Sequence, residues 1–362
     1  MMELMKAKKD TTVFVGVSGG VDSSVAAFLL REEGCNVVGA FIKTWQPDFV
    51  ECTWREERRD AMRVCAHLGI PFITIDAEKE YKEKVGEYMI EEYRKGRTPN
   101  PDVMCNKEVK FGIFLKKARE MGADFVVTGH YARREEINGR VRLLQGVDEK
   151  KDQSYFLWTL SQEQLKHILF PIGHLPKDEV RKIADKSGLF TSDKKDSQGV
   201  CFLGPVDMKE FLQHYIPKQE GKVLDISGNE IGTHDGALFF TFGERHGFHI
   251  TKKGTSDKAL YVVGKNIEEN TITVSENMSD RSMFNNPREI RISNTVWNHP
   301  ISFDATYSAS IRYNQTPAPC RVLRAQKGEA VVIFEEDQDT FSPGQSLVVY
   351  DKGQCLGGGI IV

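Results

Sequence analysis

No stretch of the 362-residue chain approaches the run of about 18–20 apolar residues that a helix needs to cross a bilayer, so a helical membrane protein and a membrane partner are excluded. No Cys-x-x-Cys pair occurs, and the seven cysteines are odd in number, which fits neither a disulfide framework nor the usual zinc site. The opening MMELMKAKKD carries lysines without an apolar core behind them, so a cytoplasmic, reducing setting with free thiols is expected. Net charge is small at −3, which argues against a surface coated with phosphate-binding lysines but not against a local patch. KEVKFGIFLKKAR and SDKKDS are locally basic, and such runs read first as solvated faces. Internal repeats and low-complexity segments are also missing.

What is present suits two or three domains. Through about residue 130, short β-rich runs (VFVGV, NVVGAFI, PFITI, DFVVTG) alternate with helical periods such as Val21, Val25 and Leu29. That alternation predicts an α/β domain with a doubly wound parallel sheet over residues 1–204. Two of its helices are expected to close at Gly69 and Gly96, and RTPNPDVMCNKE is expected to be a loop at the ligand-binding edge of the sheet. Glycine-rich text with short β-like runs suggests a small central β domain over 205–279. Closely spaced β runs over 280–362 predict an antiparallel barrel or sandwich.

One short string carries chemistry. VFVGVSGGVDSS turns from a strand through two glycines into a helix, where backbone N–H groups and the helix dipole favour a phosphate. A usual phosphate loop has a lysine after its glycines, whereas Gly19-Gly20 is followed here by Val21 and Asp22. The loop must then rely on backbone N–H groups and the hydroxyls of Ser18, Ser23 and Ser24, with Asp22 a candidate magnesium ligand. The full string SGGVDSS resembles the pyrophosphatase loop of enzymes that split ATP into AMP and pyrophosphate, which implies adenylation of a substrate oxygen.

Two cysteines suit the step that follows adenylation. Cys105 is expected in the TPNPDVMCNKEVKF loop, close before a helix whose dipole lowers a thiol pKa, and Cys201 in the turn DSQGVCF. A persulfide on one thiol can deliver its outer sulfur while the other breaks the remaining S–S bond and leaves a disulfide. Asp102, three residues before Cys105, adds a carboxylate able to take or give a proton. Asp102, Cys105 and Cys201 also offer three ligands to an iron–sulfur cluster, an alternative not favoured because cysteine-rich cluster motifs are missing.

Together GVSGGVDSS, RTPNPDVMCNKEVKF, TGHYAR, KDQSYFL, FPIGHLPKDEVRKIA, DSQGVCFLG, IRYNQTPAPC and PGQSLVVYDKGQCLGGGII resemble the tRNA-specific 2-thiouridylase family nearly end to end. The resemblance implies ATP-dependent thiolation at C2 of the wobble uridine in tRNAs for Lys, Glu and Gln, with a cysteine desulfurase or sulfur carrier as donor. It implies nucleotide contacts at Gly16, Val17, Ser18, Gly19, Gly20, Val21, Asp22, Ser23, Ile42 and Gly129. It places Asn100, Pro101 and Asp102 at the target base, Cys105 as nucleophile and Cys201 as persulfide carrier. It further implies tRNA contacts at His130, Lys151, Asp152, Gln153, Arg312, Tyr313 and Gln345, with the terminal barrel gripping the tRNA.

The chain departs from the family pattern in two places. FTFGERHGF puts Glu244 and His246 where an amide and a lysine are usual, in a stretch expected near RNA, and KTWQPDFVECTWREERRD leaves Cys52 without a role. Two rival readings are a small-molecule ATP pyrophosphatase, which explains the loop but not the two cysteines, and an RNA-binding module with a vestigial nucleotide site.

Overall fold

The computed structural model describes residues 10–50, 53–195, 199, 201, 207–251, 258–283, 286, 288–303, 305–324, 328–338 and 341–362. Cys52 and the boundary expected at 204–205 lie outside them. No helix among the described residues is long and apolar enough to cross a membrane.

The first sheet opens with β1 (Thr12–Gly16), β2 (Asn36–Lys43), β3 (Phe72–Asp76) and β4 (Phe125–Val127), the four runs the alternating pattern predicts. After β4 the chain leaves the sheet as a hairpin, β5 (Ala132–Ile137) and β6 (Arg140–Gln145), and returns as β7 (Ile168–Leu169). Strand order is β3-β2-β1-β4-β7 with every pairing parallel. Consecutive winding reverses between β1 and β4, and a doubly wound sheet opens its ligand crevice at that switch point. Apolar clusters cover both faces: Val25, Ala26 and Val64 on one, Phe14, Tyr81 and Phe114 on the other. Helix α1 (Val21–Glu32) follows β1, and α2 (Trp54–Leu68) closes on Gly69 at φ 64; Gly96 likewise has φ 73.

The segment expected as a loop around Cys105 is helical instead. Asn100 caps its N-terminus by accepting a hydrogen bond from Val103 N at 3.2 Å, and Pro101 occupies the first helical position, where a missing N–H costs nothing. An α-helical turn, Pro101–Met104, leads into a π-wound stretch, Cys105–Ile113, and then into Phe114–Glu120. Cys105 is therefore enclosed one turn inside a helix and is fully buried.

The central sheet contains β8 (Gly221–Leu224), β9 (Glu230–His234), β10 (Phe248–Ile250), β11 (Tyr261–Asn266) and β12 (Thr271–Ser275), in the order β10-β9-β8-β12-β11. The last strands are β13 (Glu289–Trp297), β14 (Thr306–Ser310), β15 (Ala318–Arg324), β16 (Ala330–Phe334), β17 (Ser346–Asp351) and β18 (Gln354–Ile361). They run antiparallel in the order β13-β16-β15-β14-β17-β18, and β13 also pairs with β18, so the expected barrel closes. The β5–β6 hairpin joins it from the first sheet's domain, with Leu143 and Leu144 opposite Cys355 and Gln354.

Candidate active site

Two loops meet at the switch point. The first, Gly16 to Ser24, turns into α1 with Gly19 at φ 77, a left-handed conformation that a side chain would strain. The Ser23 and Ser24 hydroxyls donate to Gly20 O at 3.2 and 2.7 Å, while Ser18 N donates to Ser23 Oγ at 3.3 Å, so the hydroxyls shape the turn. The second loop passes so close that a Cβ on Gly129 would lie 2.7 Å from Ser23 N. Ile42 lies near the loop entrance, its Cδ1 3.8 Å from a Cβ placed on Gly16. The expected nucleotide residues thus stand together.

Asp22 is not an open metal ligand. Lys177 Nζ donates to both of its carboxylate oxygens at 2.7 and 2.8 Å, and Tyr131 Oη donates to Oδ1 at 2.7 Å. The candidate magnesium role does not fit a carboxylate committed in this way. Among the described residues, no group of three or more His, Cys, Asp and Glu is placed to hold a metal ion. The lysine missing from the loop arrives instead from the helix Lys177–Lys186, 155 positions along the chain. Lys194 adds a second cation, donating to Gly19 O at 3.1 Å and to Asp60 at 2.8 Å.

Cys105 Sγ donates to Cys201 Sγ at 3.5 Å across 96 positions of sequence. Two contacts position Cys201: its N–H donates to Asp102 Oδ1 at 2.9 Å, and Tyr81 Oη donates to its carbonyl at 2.7 Å. Lys110 hydrogen-bonds the Cys201 sulfur. In an α-helix Lys110 would be turned about 140° from Cys105, but π winding brings a residue five positions on back over the first. The π-wound stretch thus brings the ammonium to the Cys201 sulfur.

Electrostatics splits the pair. Burial, reinforced by Cys201, pushes the Cys105 thiol well above its ordinary value, which overturns the expected lowering by a helix dipole. The Cys105 hydrogen bond, aided by Lys110, holds Cys201 below the ordinary thiol value despite burial. Burial works against the Lys110 charge, but Cys201, Cys105 and Asp102 together keep it protonated. Burial also raises the Asp102 carboxyl, against the pull of the Cys201 N–H and Lys110. The outcome is a Cys201 thiol held below its ordinary value, a Cys105 thiol held above its own and donating to it, and a carboxyl of increased basicity beside them.

Nearly end-to-end likeness to characterised proteins accompanies this geometry. The family model described as tRNA methyl transferase HUP domain matches residues 11–205, that described as tRNA methyl transferase PRC-barrel domain matches 209–276, and Aminomethyltransferase beta-barrel domain matches 287–361. The tRNA-specific 2-thiouridylase MnmA of Oceanobacillus iheyensis is 46% identical over 99% of this chain and 96% of its own. The chain belongs to the tRNA-specific 2-thiouridylase family. MnmA of Streptococcus equi subsp. zooepidemicus is 44% identical over 99% of this chain and 96% of its own, and that of Exiguobacterium sibiricum 45% over 98% and 95%.

Several residues expected to touch tRNA in this 2-thiouridylase have internal roles. His130 is 6% exposed, bonded through Nδ1 to the Thr128 hydroxyl at 2.6 Å and packed near Phe111 and Phe170. Burial and Lys110 push its imidazole well below the ordinary value, so it is a neutral interior ring and not a surface platform. Asp152 accepts from Gly146 N, Ser154 N and the Ser154 hydroxyl, and Gln153 accepts from Tyr131 N, so both brace the chain. Gln345 donates to Thr98 O at 3.1 Å. Arg312 is exposed, and Tyr313 packs its ring 4.5 Å from Phe156, close to the Lys151–Gln153 turn. Glu244 is turned inward to accept from Thr241 N at 2.9 Å, whereas His246 is exposed.

The residues missed from sequence are Tyr81, Lys110, Lys177 and Lys194. Lys110 and Lys194 lie in the two basic runs read as solvated faces; each run contributes one lysine to the site. Lys177 lies in FPIGHLPKDEVRKIA, a motif that carried the resemblance without suggesting a role.

Proposed function

We propose that this protein is a tRNA-uridine 2-sulfurtransferase that thiolates C2 of the wobble uridine in tRNAs for Lys, Glu and Gln, in the cytoplasm and at the expense of ATP. The observation that carries the reading is the approach of Cys105 and Cys201 to 3.5 Å beside Asp102, in the same domain as the phosphate loop. The helix N-terminus, with Lys177 and Lys194 beside it, suits the phosphates of ATP. Magnesium is assigned to those phosphates, not to Asp22.

Uracil O2 attacks the α-phosphorus, pyrophosphate leaves, and Asp102 takes the N3 proton. A cysteine desulfurase or sulfur carrier first places sulfur on Cys201, whose thiolate is the competent acceptor. The outer persulfide sulfur attacks C2 and expels AMP. Cys105, deprotonated as it attacks, displaces the 2-thiouridine sulfur from Cys201 and leaves a Cys105–Cys201 disulfide; that bond needs the sulfurs to close to about 2.05 Å. A thiol reductant resets the pair. Asn100 and Pro101 would meet the target base, while Lys151, Arg312 and Tyr313 would follow the RNA backbone and bases across the seam with the barrel.

A mercury-affinity gel tests the reading. Unmodified tRNA for Lys, Glu or Gln, incubated with the protein, ATP, magnesium and a sulfur source, should be retarded, and Cys201→Ala should abolish the retardation. AMP release that ignores tRNA, with no retarded band, would replace this reading with a small-molecule synthetase.

A further inference from the structure

The segment RTPNPD leads into the helix that carries Cys105, and its third and fifth residues are prolines. Each proline fixes its own φ and holds the residue before it in extended backbone, so Thr98 and Asn100 are restricted along with Pro99 and Pro101. Asn100 is extended, at φ −109 and ψ 96, and its cap on Val103 N fixes where the helix begins. The chain from Thr98 to Asp102 is therefore a stiff arm, and a shift at its first residue moves its last. At the far end Asp102 Oδ1 accepts from Cys201 N at 2.9 Å.

Both other domains hold the near end of that arm. Thr98 N donates to Pro343 O at 2.7 Å and Gln345 Nε2 donates to Thr98 O at 3.1 Å, so the turn before β17 takes up both backbone polar groups of one residue. Gly344 lies between those two contacts, and a Cβ on it would stand 2.9 Å from Thr98 C and O. From the central domain, Thr241 Oγ1 lies 3.2 Å from Thr98 Oγ1, and a Cβ on Gly96 would lie 2.6 Å from Ile267 Cγ1. Thr98 is buried, so water cannot stand in for a lost partner.

We propose that Thr98 is a positioning residue for sulfur transfer, through which the barrel and the central domain set Asp102 against Cys201. The proposal rests on the tRNA-thiolation reading above, and it gives Gln345 an inward role in place of a tRNA contact. Asp102 has to meet the uracil proton while it holds the Cys201 backbone, and a misplacement of about 1 Å can cost about a hundredfold in rate.

The test separates placement from RNA contact. Thiolation kinetics and equilibrium tRNA binding are measured for the full chain and for Thr98→Val, Thr98→Ser and Gln345→Met, with urea midpoints to show that each is folded under assay conditions. Thr98→Val and Gln345→Met should each lower kcat about tenfold while KM and Kd for tRNA stay within about twofold, and Thr98→Ser, which keeps the hydroxyl, should restore kcat. In the protein alone, the same two variants should shift the pH profile of Cys201 alkylation to higher pH, because Cys201 is no longer held where Cys105 and Lys110 bond its sulfur. A raised Kd with kcat kept would make Gln345 an RNA contact and overturn the proposal; so would an unchanged kcat or an unchanged alkylation profile. If Thr98→Val does not fold, Gln345→Met carries the test. Failure of the unaltered protein to thiolate tRNA would overturn the functional reading instead, and the alkylation profiles would still decide the placement.

Discussion

Cys201 is the thiol that ionises more readily, because its neighbours stabilise a thiolate and those of Cys105 do not. It receives a hydrogen bond from Cys105 and another from Lys110, while Cys105 sits fully buried and donates its only proton. Thiolate nucleophilicity follows from that asymmetry. Iodoacetamide should modify Cys201 well before Cys105 in the folded protein. Because the Cys201 thiol is held below its ordinary value, its alkylation rate should rise with pH and level off below the range of a free cysteine. Lys110→Met should move that plateau to higher pH and slow alkylation at pH 7 about tenfold, since the thiolate loses its nearest cation. Peptide mass spectrometry after timed alkylation reads both results, and an unchanged profile would mean that Lys110 does not stabilise the thiolate.

At the scale of elements, the phosphate loop is built by close approach. The loop after β4 passes over the first turn of α1, and only a residue without a side chain fits between them. Gly129→Ala must push the backbone at Asp22 and Ser23 aside, so ATP affinity should fall about tenfold or more while the far-UV spectrum stays unchanged. Equilibrium ATP binding by calorimetry measures this; unaltered affinity would mean that the loop is not the nucleotide site. The hairpin β5–β6 shows what element-level reading of the sequence missed. Asn138 and Gly139 have φ 52 and 74, as a tight hairpin turn requires, and an Asn-Gly pair between two alternating runs was the available signal. Its flanks, ARREEI and RVRLLQ, are rich in charge, which hid the alternation.

At the scale of the whole molecule, the barrel is docked on the catalytic domain through buried polar contacts. Ser346 on β17 accepts from Trp158 Nε1 through its hydroxyl at 3.0 Å and from Tyr155 Oη through its carbonyl at 2.8 Å, while Thr98 N donates to Pro343 O at 2.7 Å. Ser346→Ala strands the Trp158 N–H in the interior and should cost about 1–3 kcal/mol, read as a lower urea midpoint with unchanged slope. No change in midpoint would mean that the seam rearranges to satisfy the indole. The same seam forms the cavity of about 350 Å³.

The sequence by itself determined the parallel sheet, the phosphate turn, the antiparallel strands of the last region and the choice of Cys105 and Cys201 as the candidate sulfur pair. Each of these is written in local text, in alternation, in helical period or in short strings, the two cysteines each in a string of its own. Only the tertiary structure decided which thiol ionises more readily, which lysines stand by the loop and the sulfurs, and that His130 is an interior ring. Those properties depend on burial and on contacts between residues as far apart as Asp22 and Lys177, and neither spacing nor composition encodes a distance across the fold.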